Sequence, residues 1–192
     1  MSRRRHTPSQ GGSRLEMANP GDDIALIIPL RLPLPLETLR QRSAPDAGFG
    51  LPAHVTLLYP FASPEALDGN LRANLEAIIS GHAAFSFRLA ARGQWPGTLF
   101  ASVEPDLPFR SLHEELLTAV PAFPIHRGKF DFVPHVTIAE GPFANAPEVI
   151  NDPAWECLPT TLIVGFADLI VRDADGWETK WRFGFNVGSE NP

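Results

Sequence analysis

Cysteine and tyrosine occur once each among the 192 residues. With Cys157 alone, no internal disulfide forms and no thiol cluster is available for a structural zinc, which fits a cytoplasmic setting. Histidine occurs six times but never as His-x-x-x-His, so the two-histidine helix of a zinc protease is absent. No Gly-x-Ser-x-Gly turn presents a serine nucleophile, and no Gly-x-x-x-x-Gly-Lys loop cradles a phosphate. Long apolar runs are missing too. The stretch Ile24 to Leu30 follows Asp22 and Asp23 and falls well short of the roughly 18 residues that would cross a membrane. Positive charge is scarce: 16 Lys and Arg face 22 Asp and Glu, for a net charge of −6, which argues against a sequence-blind grip on extended duplex nucleic acid. The length and remaining composition, 44% apolar and 20% charged, allow one sizeable domain or two small lobes sharing a core.

One pattern occurs twice: His54-Val55-Thr56-Leu57 and, 81 residues later, His135-Val136-Thr137-Ile138. Side chains alternate along a strand, so each tetrapeptide has an imidazole and a hydroxyl on one face and two aliphatics on the other. Proline precedes both, as Pro52-Ala53 and as Pro134, which favours a strand beginning there. A lone strand histidine is more often a satisfied side chain than a catalyst. Two matching fronts point instead to one site built from two halves.

The rest of the chain reads as mixed strands and helices. Residues 1–22, polar and rich in Pro, Gly and Ser with Arg3, Arg4 and Arg5, are expected to be a flexible tail without the apolar stretch of a secretory signal. A single bilobal domain is expected over 23–187, followed by a short C-terminal tail at 188–192. Within it Ile24 to Leu32 is expected to be a buried strand and Leu36 to Arg42 a short helix, with the first motif strand at Ala53 to Phe61. Ser63 is expected to cap a helix opened by Pro64 and carrying Leu67, Leu71, Leu75, Ile78 and Ile79 on one face. A strand through Phe85, Phe87 and Leu89, a turn at Arg92 to Thr98 and a strand at Leu99 to Val103 come next. Asp106 and Pro108 open a helix that Pro121 closes, and the second motif strand follows at Phe132 to Ala139. Thr161 to Arg172 and Gly176 to Asn186 complete the pattern as a hairpin. The class is α+β with mainly antiparallel sheets, two related lobes meeting at a cleft.

The segments Pro52-Ala53-His54-Val55-Thr56-Leu57-Leu58-Tyr59-Pro60-Phe61 and Val133-Pro134-His135-Val136-Thr137-Ile138-Ala139 resemble the 2H phosphoesterase superfamily, and within it the bacterial branch called 2'-5' RNA ligase family proteins. The resemblance implies a bilobal fold, two mainly antiparallel sheets with flanking helices around a central cleft. It also implies metal-independent chemistry on 2',3'-cyclic or 2'-5' phosphodiester bonds of nucleotides or RNA ends, with 2'-5' ligation as the reverse. His54 and His135 carry over as the acid/base pair, and Thr56 and Thr137 as phosphate-binding hydroxyls. No metal or other cofactor is implied.

That chemistry suits the residues. Opening a cyclic phosphodiester takes a proton from water and gives one to the departing ribose oxygen on the opposite side of phosphorus, and imidazoles near pKa 6.5 do both. Hydroxyls on the same strand faces can donate to the non-bridging oxygens. Trp95 and Phe132 are candidates for stacking on a nucleobase, with lobe packing as the competing role. Arg92, Arg127 and Lys129 are candidates for a terminal phosphate. Tyr59 belongs by strict alternation with Val55 and Leu57, and reaches the His54 face only if the strand bulges. The expected partner is a nucleotide or short RNA end, bound by a monomer with no membrane contact. A nucleotide- or RNA-binding module that keeps the cleft without turnover is the alternative, but it has no need of two complete His-x-Thr pairs.

Overall fold

The computed structural model describes residues 23–120 and 131–188. It has two antiparallel sheets of four strands with helices packed against them, an α+β arrangement. The first sheet runs β2 (His54–Leu58), β1 (Ile24–Pro29), β7 (Phe166–Arg172), β8 (Trp177–Gly184). The second runs β5 (His135–Glu140), β4 (Thr98–Glu104), β3 (Phe85–Trp95), β6 (Thr160–Val164). Each motif strand is therefore an edge strand, β2 of one sheet and β5 of the other.

Burial explains the placement. In β2 and β5 the apolar residues Val55, Leu57, Val136 and Ile138 are fully buried in one core that both sheets share, while the intervening His and Thr are only partly buried. Strand β1 lies inside its sheet and is apolar on both faces: Ile24, Leu26 and Ile28 join the shared core, and Ala25 and Ile27 form a second small cluster with Ile170. Its continuous hydrophobic run reflects this two-sided burial.

The helices cross between the halves. Helix α1 (Leu34–Ser43) packs against β5, and α3 (Leu107–Ala119) against β2. Helix α2 (Gly69–Gly81) packs on β8 and α3. It starts later than the Ser63-Pro64 signal predicts: residues 64–66 form a separate 3-10 turn, and Asp68 is the cap, its Oδ1 accepting from Leu71 N at 2.8 Å. The Arg92 to Thr98 turn is also shorter than expected, since β3 continues to Trp95 and the chain reverses at Pro96-Gly97, where Gly97 takes φ 79°. Short helical segments over 141–157, including α4 (Pro147–Ile150), escaped the sequence reading. The expected strand Thr161 to Arg172 breaks at Gly165, where β6 ends in one sheet and β7 begins in the other. The break passes the chain between the sheets.

Both motif strands carry the same irregularity. Thr56 pairs Ile27 but Leu58 pairs Leu26, and Thr137 pairs Phe100 but Ala139 pairs Leu99. Each motif strand thus holds one extra residue, Leu57 or Ile138, directly after its threonine, which is a β-bulge. The Leu57 carbonyl is met by His113 of α3, whose Nδ1 lies 2.9 Å away and donates to it. His113 is buried, stacks on Phe132 at 4.0 Å, and is held below the ordinary imidazole range by desolvation, against the opposing pull of the Leu57 bond. His113→Ala leaves a buried carbonyl unpaired, so a loss of about 1–3 kcal/mol in urea unfolding is expected, with His113→Gln recovering part of it.

Candidate active site

The two motif fronts line one cleft of about 750 Å3, together with Tyr59, Trp95, Asp131, Phe132, Glu140 and Trp177. His54 and His135 are oriented by the same device. His54 Nδ1 lies 2.8 Å from the Pro52 carbonyl, and His135 Nδ1 lies 2.7 Å from the Val133 carbonyl, in each case two residues upstream. A carbonyl only accepts, so each Nδ1 carries hydrogen and each Nε2 is left as the reactive nitrogen. The approach to each strand thus fixes the tautomer. Thr56 and Thr137 follow on the same strand faces and line the same cleft.

Beyond this shared frame the surroundings differ. His135 is braced by rings: Trp95 meets it edge-on at 4.7 Å, and Phe100 at 5.4 Å. Trp95 and Phe100 stack on each other at 4.0 Å, and Phe100 lies over Gly93, where a Cβ would stand 2.3 Å from the ring. His54 instead has charge beneath it. Arg40, 2% exposed, donates from Nη2 to the carbonyls of Leu51 at 2.8 Å and Pro52 at 3.1 Å. Desolvation first, then repulsion from Arg40 and His135, pushes the His54 imidazole down to about 4, although its bond to Pro52 pulls the other way. Glu140 is pushed up by burial and by Asp46, with Arg40 opposing.

The bulges decide a question that alternation leaves open. An extra residue after each threonine restores the fifth position after the histidine to the cleft side, so Tyr59 and Glu140 both line the cleft. Tyr59 is thus on the cleft side and not with Val55 and Leu57, and it packs there against the Ala25, Ile27 and Ile170 cluster, as a packing role requires. Trp95 and Phe132 also line the cleft, each with one ring face taken, by Phe100 and by His113. Arg92 lies elsewhere: it donates to the Ile150 carbonyl and sits over the Trp155 ring at 5.8 Å. Arg127 and Lys129 lie outside the described residues. Sequence reasoning missed Arg40, Glu140, Asp46 and Trp177. A usable signal existed for Arg40, which sits on the helical stripe of Leu36, Leu39 and Ser43, all buried.

Among the described residues no group of three or more His, Cys, Asp or Glu could hold a metal ion. No helix among them is long and apolar enough to cross a membrane.

The profile of the 2'-5' RNA ligase superfamily matches residues 28–176. Solved structures share the fold. TT0787 of Thermus thermophilus is 22% identical with a TM-score of 0.59, covering 86% of this chain and 98% of its own. A crystal structure of a phosphoesterase is 15% identical with a TM-score of 0.55, covering 87% and 99%. E. coli LigT, solved in complexes with 3'-AMP and with NADP+, is 16% identical with a TM-score of 0.52, covering 85% and 98%. No curated protein matches the chain.

Because Phe100 rests on Gly93, Gly93→Ala forces the ring off its seat and disturbs the brace behind His135. Overpacking of this kind is expected to cost about 1–3 kcal/mol in denaturant unfolding, together with a changed His135 environment in imidazole NMR spectra.

Proposed function

The chain belongs to the 2'-5' RNA ligase superfamily, and we propose that it is a metal-independent phosphodiesterase acting on 2',3'-cyclic phosphate or 2'-5' phosphodiester bonds of nucleotides or RNA ends. One observation carries this reading: two imidazoles, each anchored through Nδ1 to the carbonyl two residues upstream, line one cleft together with two strand-borne threonines. For hydrolysis of a cyclic phosphate, water attacks phosphorus and gives its proton to one Nε2. The bond to the departing ribose oxygen breaks, and that oxygen receives the proton from the other Nε2. Thr56 and Thr137 donate to the non-bridging oxygens as their charge rises. In 2'-5' ligation a ribose 5'-hydroxyl takes the place of the water: it attacks the phosphorus of a 2',3'-cyclic phosphate and gives its proton to one Nε2, while the 3' oxygen leaves phosphorus and receives the proton of the other.

Desolvation of His54 favours its neutral form at neutral pH, which suits it to accept the proton in hydrolysis and leaves His135 to supply one. The nucleotide complexes of LigT support a nucleotide-sized ligand, and the mixed charge of this cleft, lined by Asp46, Asp131 and Glu140 as well as Arg40 and Arg172, favours a small substrate over a long polyanion. Tyr59, Trp95, Phe132 and Trp177 offer faces or edges to a base.

His54→Ala and His135→Ala are each expected to lower the rate on a 2',3'-cyclic mononucleotide by about 10² or more, with the double variant little worse than either. Thr56→Val and Thr137→Val should cost roughly 2–4 kcal/mol of transition-state stabilisation without loss of fold by circular dichroism. Activity that persists in excess EDTA is expected, and an EDTA-sensitive rate restored by zinc would remove the two-histidine mechanism. The pH profile of kcat/KM should be a bell. A lowered His54 pKa keeps the base neutral until pH falls toward about 4, so the acid limb should lie below that of an ordinary imidazole, with both limbs belonging to the coupled pair.

A further inference from the structure

The two bulges place an equivalent residue on each side of the cleft, five positions after the histidine: Tyr59 beyond β2 and Glu140 at the end of β5. The two flanks are unlike. Tyr59 packs with Leu51 and Trp177 against the small cluster of Ala25, Ile27 and Ile170, so its flank is apolar and aromatic. Arg172, also on the lining, is paired with Asp23 at 3.2 Å and lies over the Trp177 ring. A wall of this kind holds a flat group by its faces but offers little to an edge that has to be read by hydrogen bonds.

The Glu140 flank is rich in hydrogen-bonding groups. Glu140 pairs with Thr98, two residues along β4 from the Phe100 that pairs with Thr137, so it stands roughly 7 Å beyond that threonine on the same side. Trp95, 38% exposed, pairs with Thr98 from β3 and sends its ring back to His135. From the other half, Asp46 on the 3-10 turn Pro45–Phe49 and Arg40 on α1 stand near enough to act on the Glu140 charge, and all three line the cleft. Burial and Asp46 make that charge costly, and Arg40 offsets part of the cost. Arg40 is 2% exposed, and its Nη2 is committed to the Leu51 and Pro52 carbonyls. Its Nη1 has no hydrogen-bond partner and stands 3.6 Å from Glu37 Oε1. This flank thus sets two carboxylates that accept beside a buried guanidinium with a donor to spare. The ligand that completes it brings adjacent N–H groups and one carbonyl.

Of the four RNA bases, guanine carries that set on one edge: N1–H and the 2-amino group, next to the O6 carbonyl. Uracil sets two carbonyls around a single N–H and would turn oxygen toward carboxylate. Adenine and cytosine present one amino group beside a bare ring nitrogen. We propose that the Glu140 flank is the base subsite of a guanosine 2',3'-cyclic phosphate, with Glu140 and Asp46 accepting from N1–H and the 2-amino group and O6 turned to Arg40. The ribose and phosphate then run back past Thr137 to the two histidines. The cyclic phosphate rests on the phosphodiesterase reading, whereas the choice of base rests on the flank alone. A well-made bidentate contact to a base edge separates the right base from a wrong one by roughly fivefold to a hundredfold.

Calorimetric titration of the full chain with 2'-GMP, 2'-IMP, 2'-AMP, 2'-CMP and 2'-UMP reads the base preference without any turnover. 2'-GMP should bind at least about fivefold tighter than each of the others, including 2'-IMP, which lacks only the 2-amino group. Glu140→Gln removes the charge and one acceptor oxygen, and should weaken 2'-GMP at least about fivefold more than it weakens 2'-UMP. Asp46→Asn should narrow the same ratio. Asp131→Asn, which alters a cleft carboxylate in the segment ahead of β5, should keep it. Equal affinity for 2'-GMP and 2'-UMP, tighter binding of 2'-AMP, no measurable binding of any of the five, or a guanine preference that survives both Glu140→Gln and Asp46→Asn would each overturn the proposal. A wild type that opens 2',3'-cyclic mononucleotides but binds the five products alike keeps the reaction reading and loses the base assignment. One that prefers 2'-GMP as expected but opens no cyclic phosphate and cleaves no 2'-5' bond loses the reaction reading and keeps the base subsite.

Discussion

A strand that carries imidazole and hydroxyl on one face and branched aliphatics on the other fits only at the boundary of a hydrophobic core. Val55, Leu57, Val136 and Ile138 are fully buried, and burying side chains of this size is worth roughly 1.5–3 kcal/mol each. That term anchors β2 and β5 to the core. The polar fronts must then face away from it, and because both strands insert into the same core from different sheets, the two fronts line one cleft. The helices reinforce this by crossing over, α1 onto β5 and α3 onto β2, so neither half can shift without disturbing the other's motif strand.

The internal duplication extends further than the repeated tetrapeptide. Both halves place a helix ahead of the motif strand, pair that strand antiparallel to the one before the helix, bulge directly after the threonine, and bond Nδ1 to the carbonyl two residues upstream. The burial pattern along β2 and one residue beyond repeats in β5. What differs is the packing behind each imidazole. Aromatic rings seated on Gly93 stand behind His135, and a buried guanidinium stands behind His54. A duplicated scaffold with unlike supports suits chemistry in which one group accepts a proton while its twin donates one.

The misreadings have local causes. Ser63-Pro64 carries a good helix-opening signal, yet Asp68 makes the bond to Leu71 N and the longer helix starts there, because a 3-10 turn intervenes. Thr161 to Arg172 reads as one strand because only Gly165 and Asp168 interrupt its apolar character, and neither reveals that the flanks of the glycine join different sheets. Arg92 reads as a turn residue open to a phosphate, but β3 continues through it and the side chain is committed to Ile150 and Trp155.

Alternation within four residues is a covalent property of an extended chain, so the sequence by itself determined which side chains of each motif share a face and that the face occurs twice. Composition likewise determined that no disulfide forms within the chain. Only the tertiary structure decided that Tyr59 and Glu140 turn back to the cleft, since a bulge depends on pairing with a strand some thirty or more residues away. It also decided that Arg40 stands beside His54. Arg40 meets Pro52 through a helix packed across the far sheet, and a contact of that kind is set by how whole elements pack, which no local pattern of residues encodes.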